Sequence, residues 1–353
     1  MKRLCEASGI SGYESEAGRI AADAFAPYAD EVRTDSMGNV VALKRAARGD
    51  SPAGRILLAG HLDEIGLMVT SLEDGFLRFT TVGGFDVRVL PGQEVMVHGQ
   101  RPLPGIVGSR PPHVLSAEAR EKVTPLDELF IDVGLPPSEV AALVSVGDIV
   151  SVSREAINLM NTRVAAKAMD DRSAVAAMVE TFKRLADCRT AVDLYGVATV
   201  QEEASDFLGA RTSAFRLQPD IAIAVDVGHA EIPDAADVPI MTLGKGPGIA
   251  MGPNIHPQVY ERLVATADDM EIPWQTDPCP GATGTDAWAL QIVREGIPTA
   301  LLSIPLRYMH TSVETLAIRD IERTARLLAA FIVGLDGDFL GGLRGANATR
   351  TTV

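Results

Sequence analysis

The chain is poor in cysteine. Cys5, Cys188 and Cys279 are its three cysteines among 353 residues, and no CxxC pair occurs. Cysteines this few and this scattered exclude a disulfide framework. Because thiols stay reduced inside the cell, the sequence favours a cytoplasmic protein.

Positive charge is also scarce. Lys and Arg number 32 against 47 Asp and Glu, which gives a formal net charge of −15 at pH 7. Nucleic-acid partners are excluded, because their phosphates need basic groups to neutralise them. No stretch approaches the ~20 apolar residues of a membrane span, and residues 1–13 contain no apolar signal core. We therefore expect no membrane partner either.

Several catalytic motifs are absent. The sequence contains no HExxH, no phosphate-binding P-loop and no GxSxG nucleophile elbow. The glycine-rich run 244–248 does not fit GxGxxG, and Pro247 would disturb the helix start on which a phosphate sits. These absences exclude the zincin, nucleotide-binding and serine-hydrolase classes that the motifs define.

Alternating strand and helix patterns occupy both ends of the chain. At 353 residues the chain exceeds the size at which one hydrophobic core usually stops growing. The patterns predict strands over 55–59, 65–69, 191–200, 221–225 and 299–303, and helices over 13–28, 171–186, 258–270, 286–294 and 319–333. This alternation predicts an α/β fold with a mixed sheet covered by helices on both faces.

The middle of the chain has a different sequence pattern from its two ends. From 75 to 152 there are many Gly and Pro residues, short β-branched runs and almost no helical periodicity. Short strands at close spacing predict a small β-barrel or sandwich. We interpret 71–160 as this inserted β domain, between two parts of a catalytic α/β domain, 1–70 and 161–340. The Gly-, Arg- and Thr-rich end, 341–353, is predicted to fray.

Two adjacent acids, Glu202 and Glu203, are the most informative feature. They follow an apolar run, 194–201, that is typical of a buried strand. Open α/β sheets place their functional groups just beyond the carboxyl ends of strands. One acid at this place can bind a metal ion while its neighbour moves a proton.

Acids or histidines occur in four other segments that the patterns place at strand ends or in loops. These segments are His61-Leu62-Asp63, Asp170-Asp171, Asp226 and His310. Singly, an acid such as Asp171 at a helix start is usually a cap, and a lone histidine is usually structural. Taken with the Glu pair, two histidines and three carboxylates, one of them shared, suit two divalent ions about 3.5–4 Å apart.

The donor types indicate the metal and some of the roles. Mixed nitrogen and oxygen ligands favour zinc, with cobalt or manganese as alternatives. Asp63 lies two residues from His61 and can hold its imidazole in one tautomer. The remaining acid would take a proton from the water that the metal ions bind.

Eight short segments form an ordered set of motifs along the chain: 60–66 (Gly-His-Leu-Asp-Glu-Ile-Gly), 106–113, 168–172, 201–203 (Gln-Glu-Glu), 226–230, 252–257, 284–287 and 307–310 (Arg-Tyr-Met-His). In this order they resemble the motifs of the TET-type co-catalytic metallo-aminopeptidases. The family includes glutamyl and deblocking aminopeptidases and proteins once labelled endoglucanases, and the resemblance covers nearly the whole chain. One departure follows the Glu pair, where 204–210 is one residue longer than the family's Val-Gly-Leu-Arg-Gly-like stretch.

The resemblance implies the metal ligands residue by residue. Asp170 is the ligand that bridges the two ions. His61 and Asp226 complete one metal site, and Glu203 and His310 complete the other. It also implies a cis peptide bond after Asp170.

The resemblance further implies the catalytic and assembly roles. Glu202 is the general base and acid, and Asp63 orients His61. The inserted β domain mediates dimerisation, and six dimers commonly build a tetrahedral dodecamer. We therefore expect a homo-oligomer, anywhere from a dimer to a dodecamer.

The sequence thus predicts a metal-dependent aminopeptidase that hydrolyses N-terminal residues from peptides with a metal-bridging water. One alternative is a related metal-dependent amidohydrolase or carboxypeptidase, against which the inserted β domain argues. The other is a metal-binding assembly protein whose altered loop at 204–208 has impaired catalysis. The preferred N-terminal residue and the physiological metal are not specified by the sequence.

Overall fold

The computed structural model describes residues 1–47, 52–204, 206–233 and 241–349, with side chains as far as Leu343. The described strands are β1 Glu31–Thr34, β2 Val40–Lys44, β3 Arg55–His61, β4 Gly66–Glu73, β5 Phe76–Val82, β6 Glu94–His98, β7 Pro102–Gly108, β8 Phe130–Asp132, β9 Ile149–Val152, β10 Ile157–Asn158, β11 Arg163–Ala166, β12 Asp193–Thr199, β13 Ile221–His229, β14 Gly248–Met251, β15 Gln275–Pro278, β16 Thr299–Leu306 and β17 Glu314–Ala317. The described helices are α1 Lys2–Glu6, α2 Ser15–Phe25, α3 Ala117–Arg120, α4 Pro137–Leu143, α5 Met169–Leu185, α6 Leu208–Leu217, α7 Pro257–Asp269, α8 Asp286–Leu290, α9 Ile318–Val333 and α10 Gly337–Thr349.

A mixed sheet of eight strands forms the larger domain. Its order is β1-β2-β12-β3-β13-β16-β14-β15, and the four central strands β12, β3, β13 and β16 are parallel. Antiparallel pairs β1–β2, β2–β12 and β14–β16 flank this parallel centre. Because parallel strands run in one direction, their carboxyl ends meet at one edge of the sheet.

Helices cover both faces of the sheet, as the sequence predicts. Alternate residues of β3 point into different cores: Ile56 and Leu58 pack with α2, α5, α7 and α9, whereas Leu57 and Ala59 pack with α6 and α8. A strand buried on both faces needs an apolar residue at every position, which explains its unbroken apolar run. The predicted α/β fold with a mixed, doubly covered sheet is confirmed.

The inserted β domain is a closed barrel. Its strands follow the order β4-β5-β8-β7-β6-β9, and each of the six neighbouring pairs is antiparallel. Inward-facing residues alternate along β4 and β6, where Leu67, Val69, Val95 and Val97 are buried in the barrel core. The barrel strands span 66–152, compared with a predicted inserted range of 71–160. The strand predicted over 65–69 continues to Glu73 and belongs to the barrel, whereas β10 pairs with β11 in a separate three-stranded sheet.

Other element ends differ modestly from the sequence patterns. The helix predicted over 286–294 ends at Leu290, and the end predicted to fray over 341–353 is helical to Thr349, while 350–353 lie outside the described residues. No helix within the described ranges combines the length and apolarity that crossing a membrane requires. All three cysteines are free thiols.

Candidate metal centre

The candidate site lies where the central parallel strands end. His61 is the last residue of β3, and its register partner Thr199 is the last residue of β12. Glu202 and Glu203 follow in the turn between β12 and α6. The structure therefore places this acid pair beyond a strand end and beside the predicted histidine.

Asp226 lies inside its strand, which corrects the sequence pattern. The apolar run predicted a strand that ended at 225, but β13 continues to His229 because 226–229 pair with 303–306 of β16. Asp226 is buried, and its Oδ1 accepts a hydrogen bond from the Val227 backbone N–H at 2.7 Å. This one backbone hydrogen bond offsets only part of the free energy that burying the Asp226 carboxylate costs.

Asp170 connects the two predicted histidine ligands. It lies at the start of α5, where its backbone departs from helical geometry and the Asp170–Asp171 peptide bond is cis, as the resemblance implies. One carboxylate oxygen, Oδ1, is 3.0 Å from His61 Nε2, and the other, Oδ2, is 3.4 Å from His310 Nε2. Each oxygen of this single carboxylate thus faces a different imidazole.

The donor atoms form two overlapping groups. Within each group the atoms lie within 4.8 Å of one another, and the groups are His61, Glu202 and Asp226, and His61, Asp170 and Glu203. His310 adjoins the second group, since its Nε2 is 3.4 Å from Glu203 Oε1. Glu202 Oε2 is 4.0 Å from His61 Nε2, so this acid lies among the donors of the first group. The structure brings all five predicted ligands and Glu202 together.

Asp63 has a second contact that the sequence does not reveal. The ring Nδ1 of His61 is 3.1 Å from the Asp63 backbone oxygen and 3.6 Å from its carboxylate. The two carboxylate oxygens accept hydrogen bonds from the backbone N–H groups of Glu202 and Glu203, each at 3.0 Å. Asp63 therefore contacts the imidazole and also fixes the backbone of the acid pair.

Glu314 is a buried acid that the sequence reasoning missed. It begins β17, and one of its oxygens accepts hydrogen bonds from the backbone N–H groups of Met169 at 2.7 Å and Asp170 at 3.1 Å. Its other oxygen accepts the His310 backbone N–H at 2.9 Å. One carboxylate therefore positions two of the predicted ligands. The available signal was an acid four residues after His310, in the same segment.

The inserted domain also contributes to the site. Gly84, in the segment that follows barrel strand β5, has its backbone oxygen 2.8 Å from His310 Nδ1. A hydrogen bond from Nδ1–H to this oxygen leaves Nε2 of the same ring as the free ligand atom. The barrel therefore fixes the orientation of one predicted ligand.

Burial is the main cause of the pKa shifts of the acid pair Glu202 and Glu203. It raises the pKa of Glu202 to about 10 and that of Glu203 to about 7, and His61 opposes both shifts. Burial also acts to raise the pKa of Asp170, but hydrogen bonds from His310 and His61 outweigh it, so this pKa lies below its ordinary value. The hydrogen bond to Asp170 raises the pKa of His310 to about 9.

The donor set fits divalent metal ions. Buried carboxylates outnumber the two imidazoles, and burial raises the pKa of Asp226 well above its ordinary value as well. Such groups are unfavourable in a protein interior unless a cation or hydrogen bonds compensate them. Imidazole nitrogen and carboxylate oxygen are the ligands that zinc, cobalt and manganese take in proteins.

The two donor groups open onto a cavity of about 580 Å³. Its lining includes the donor-group residues and further residues of β13, β15 and β16, among them Asp277 and Ser303. Phe207, from the turn before α6, also lines the cavity, whereas Ser205 of that turn lies outside the described residues. The cavity is large enough for the end of a peptide chain.

Two imidazoles and several carboxylates beside a cavity are typical of metal-dependent hydrolases. The chain belongs to the M42 glutamyl aminopeptidase family, because the model of that family matches residues 38–327. It is therefore a hydrolase of the peptidase class. The family membership that the eight segments predicted is thereby confirmed.

Named relatives of nearly full length support this assignment. The chain is 38% identical to the lysyl aminopeptidase of Pyrococcus furiosus, with 94% of this chain and 95% of the relative covered. Among solved structures, aminopeptidase APDkam598 from Desulfurococcus kamchatkensis superposes with a TM-score of 0.89 at 37% identity, covering 98% of this chain and 96% of its own. The TET1 peptidase of Pyrococcus horikoshii, which can assemble into a tetrahedron or a large octahedral shell, has a TM-score of 0.82 at 32% identity, with 95% and 98% covered.

Proposed function

We propose that this protein is a dinuclear metal-dependent aminopeptidase that removes N-terminal residues from peptides, with Glu202 as its general base and acid. The observation that carries the proposal is the placement of the Asp170 carboxylate between His61 and His310, beside Glu202. His61 and Asp226 would hold one ion, Glu203 and His310 would hold the other, and Asp170 would serve both. Zinc is the expected metal, with cobalt or manganese as alternatives.

Two bound divalent ions would supply Lewis acidity, which polarises the scissile carbonyl and acidifies water. Nearby cations favour an ionised carboxylate, so two bound divalent ions would lower the pKa of Glu202 from the value of about 10 that burial gives it. The ionised Glu202 carboxylate accepts a proton from the attacking water as the water oxygen bonds to the carbonyl carbon. It then donates that proton to the leaving nitrogen as the carbon–nitrogen bond breaks. Asp63 keeps Glu202 in place, because its carboxylate accepts the Glu202 backbone N–H.

The charge of the cavity favours an aminopeptidase over the related amidohydrolases and carboxypeptidases. Two divalent ions would offset the charge of the donor-group acids, which leaves Asp277 as the lining acid outside those groups, and no lysine or arginine among the described residues lines the cavity. A terminal carboxylate therefore has no lysine or arginine to pair with there, whereas a free α-amine meets no repelling side chain of its own charge type. The N-terminal end of a peptide is therefore the favoured occupant.

The test uses metal-free protein reconstituted separately with zinc, cobalt and manganese. Each form is assayed with an amino-acid amide, with the same amide carrying an N-acetyl group, and with a C-terminal peptide substrate. The proposal predicts cleavage of the free amide and a loss of at least about 100-fold in kcat/KM on acetylation. Preferred cleavage of the acetylated or C-terminal substrate would indicate the related hydrolases. Metal binding without hydrolysis of any substrate would indicate the impaired assembly protein.

Homo-oligomerisation is part of the proposal. The barrel carries exposed apolar side chains, Ile106 on β7 and Val114 and Val123 between β7 and β8, which a partner subunit would cover. The tetrahedral and octahedral assemblies of the P. horikoshii TET1 peptidase also support a homo-oligomer. Light scattering after size-exclusion chromatography distinguishes a dimer from a dodecamer. The three free thiols agree with the cytoplasm as the compartment.

A further inference from the structure

The cavity extends from the metal centre towards an acid that the proposed mechanism does not use. Asp277, on β15, lines the cavity together with Met241, Cys279 and Ser303. The family name contains glutamyl and one relative's name contains lysyl, so the names of similar proteins indicate opposite charges for the side chain of the substrate. The structure of this region is therefore the better guide to specificity.

A hydrogen bond from Ser303 holds the Asp277 side chain in place. The Ser303 hydroxyl donates to Asp277 Oδ2 at 2.6 Å, across the strand β14 that lies between their own strands. This close approach requires Gly248 on β14, because a Cβ there would lie 2.9 Å from the Asp277 Cβ and 3.5 Å from the Ser303 Cβ. The acid is therefore a fixed part of the cavity wall.

The Asp277 charge is not neutralised within the described part of the chain. Ser303 engages one carboxylate oxygen, and no ion pair of Asp277 with a described Lys, Arg or His occurs. No described lysine or arginine lines the cavity either. A partly buried carboxylate with this environment attracts a cationic ligand group and repels an anionic one.

The position of Asp277 relative to the metal centre suits a side chain of lysine length. Asp226 and Ser303 are register partners on adjacent strands, which lie about 4.8 Å apart. Asp277 belongs to β15, the second strand beyond β16, but its side chain reaches back over β14 and its carboxylate lies 2.6 Å from the Ser303 hydroxyl. The carboxylate, and not the Asp277 backbone, therefore lies within about two strand spacings of Asp226. A lysine side chain has a four-carbon stem before its ammonium group.

Met241, which is 5% exposed, adds an apolar side chain to the cavity lining. Met241 reaches across two glycines, since its Cε lies 2.4 Å from the position of a Cβ on Gly228 and its Sδ lies 2.5 Å from that of a Cβ on Gly248. Gly228 is on the strand of Asp226, and Gly248 lies beside Asp277. The stem of a long side chain can therefore pack on Met241 before its charged end reaches the acid.

We propose that Asp277 makes this site selective for peptides whose N-terminal residue carries a long cationic side chain, lysine or arginine. The proposal rests on the proposed aminopeptidase function and adds the class of its substrate. The substrate ammonium or guanidinium group pairs with the Asp277 carboxylate. An N-terminal glutamate is disfavoured, because its carboxylate meets the like charge of Asp277.

The test compares aminoacyl-coumarin amides of lysine, norleucine and glutamate on the zinc-loaded protein. Norleucine has nearly the length and shape of lysine without the charge, so the ratio of the two kcat/KM values isolates the ion pair. A hydrogen bond between charged groups contributes about 1.5–3 kcal/mol, so we expect lysine to exceed norleucine by about 10- to 100-fold. Glutamate should be cleaved more slowly than norleucine.

The variant Asp277→Asn removes the charge and keeps an oxygen that can accept the Ser303 hydrogen bond. It should reduce the lysine-to-norleucine ratio to about one, by lowering kcat/KM for lysine while that for norleucine changes less than about twofold. The control Asp269→Asn, at the exposed end of α7 and outside the cavity lining, should keep the ratio of the unmodified protein.

The outcomes separate this proposal from the one on which it rests. Norleucine cleaved as fast as lysine by the unmodified protein, or a ratio unchanged in Asp277→Asn, would overturn the role of Asp277 and leave the aminopeptidase function intact. Failure to cleave any of the three substrates would reject the aminopeptidase function and this proposal together. The comparison on the unmodified protein is decisive even where the variant does not fold.

Discussion

Replacing Glu314 by glutamine should weaken one metal site more than the other. The Glu314 carboxylate accepts the backbone N–H groups of Met169 and Asp170 on one oxygen and that of His310 on the other. A glutamine amide has a single acceptor oxygen. If that oxygen faces the two N–H groups, the amide NH₂ faces the His310 N–H, and the only hydrogen bond lost is that to His310.

The size of the effect follows from the burial of Glu314, which is 2% exposed. A buried hydrogen-bond donor that loses its acceptor reduces stability by about 1–3 kcal/mol. Removing a residue that hydrogen-bonds to a metal ligand typically lowers metal affinity by about 10- to 100-fold. We expect the ion held by Glu203 and His310 to bind about 10- to 100-fold more weakly. The ion held by His61 and Asp226 should change by less than about threefold.

The assay is calorimetric titration of zinc into metal-free protein, analysed for two sites. The matched control is Glu322→Gln, an exposed acid on α9 that should leave both affinities unchanged. Equal loss at both sites would refute the argument that Glu314 acts through His310. Unchanged affinity at both sites would refute any positioning role for this carboxylate.

Two further predictions concern the metal ions. Asp170→Ala should release both ions together in a metal analysis after dialysis, because this carboxylate faces both histidines; two ions still tightly bound would contradict the bridging role. In the folded metal-free protein the pKa values of Glu203, His310 and Glu202 are raised to about 7, 9 and 10. The folded protein therefore binds more protons than the unfolded chain, whose glutamates have a pKa of about 4.5. Its free energy of unfolding decreases as the pH rises above that value. Its melting temperature should therefore fall between about pH 5 and 9 while that of the zinc-loaded protein falls less; a rise over this range without metal would contradict the linkage.

The layered α/β fold could be predicted because local hydrophobic patterns in the sequence indicate its strands and helices. Unbroken apolar runs mark strands that are buried on both faces, and β3 and β13 begin where those runs begin. The end of β13 could not be predicted, because its last residues, 226–229, are strand only through pairing with β16. The order of strands and the closure of the barrel depend in the same way on contacts between distant segments.

The candidate site was predictable where its residues lie in short segments with several polar groups. The segment that holds His61 and Asp63, and the pair Glu202 and Glu203, have this character. Glu314 and the Gly84 carbonyl have no such signal, because each acts only through a hydrogen bond that the tertiary fold creates. Asp277 looks like an ordinary acid in sequence, and its contact with Ser303 depends on the pairing of three strands.

The most direct test of the account measures activity and metal content of Glu202→Gln in the same sample. The glutamine keeps the shape of the side chain and its backbone contact to Asp63 but cannot carry the proton. The account predicts that both zinc ions are retained and that kcat for an aminoacyl amide falls by at least about 100-fold. Near-normal activity with both ions bound would contradict the central claim that Glu202 is the general base.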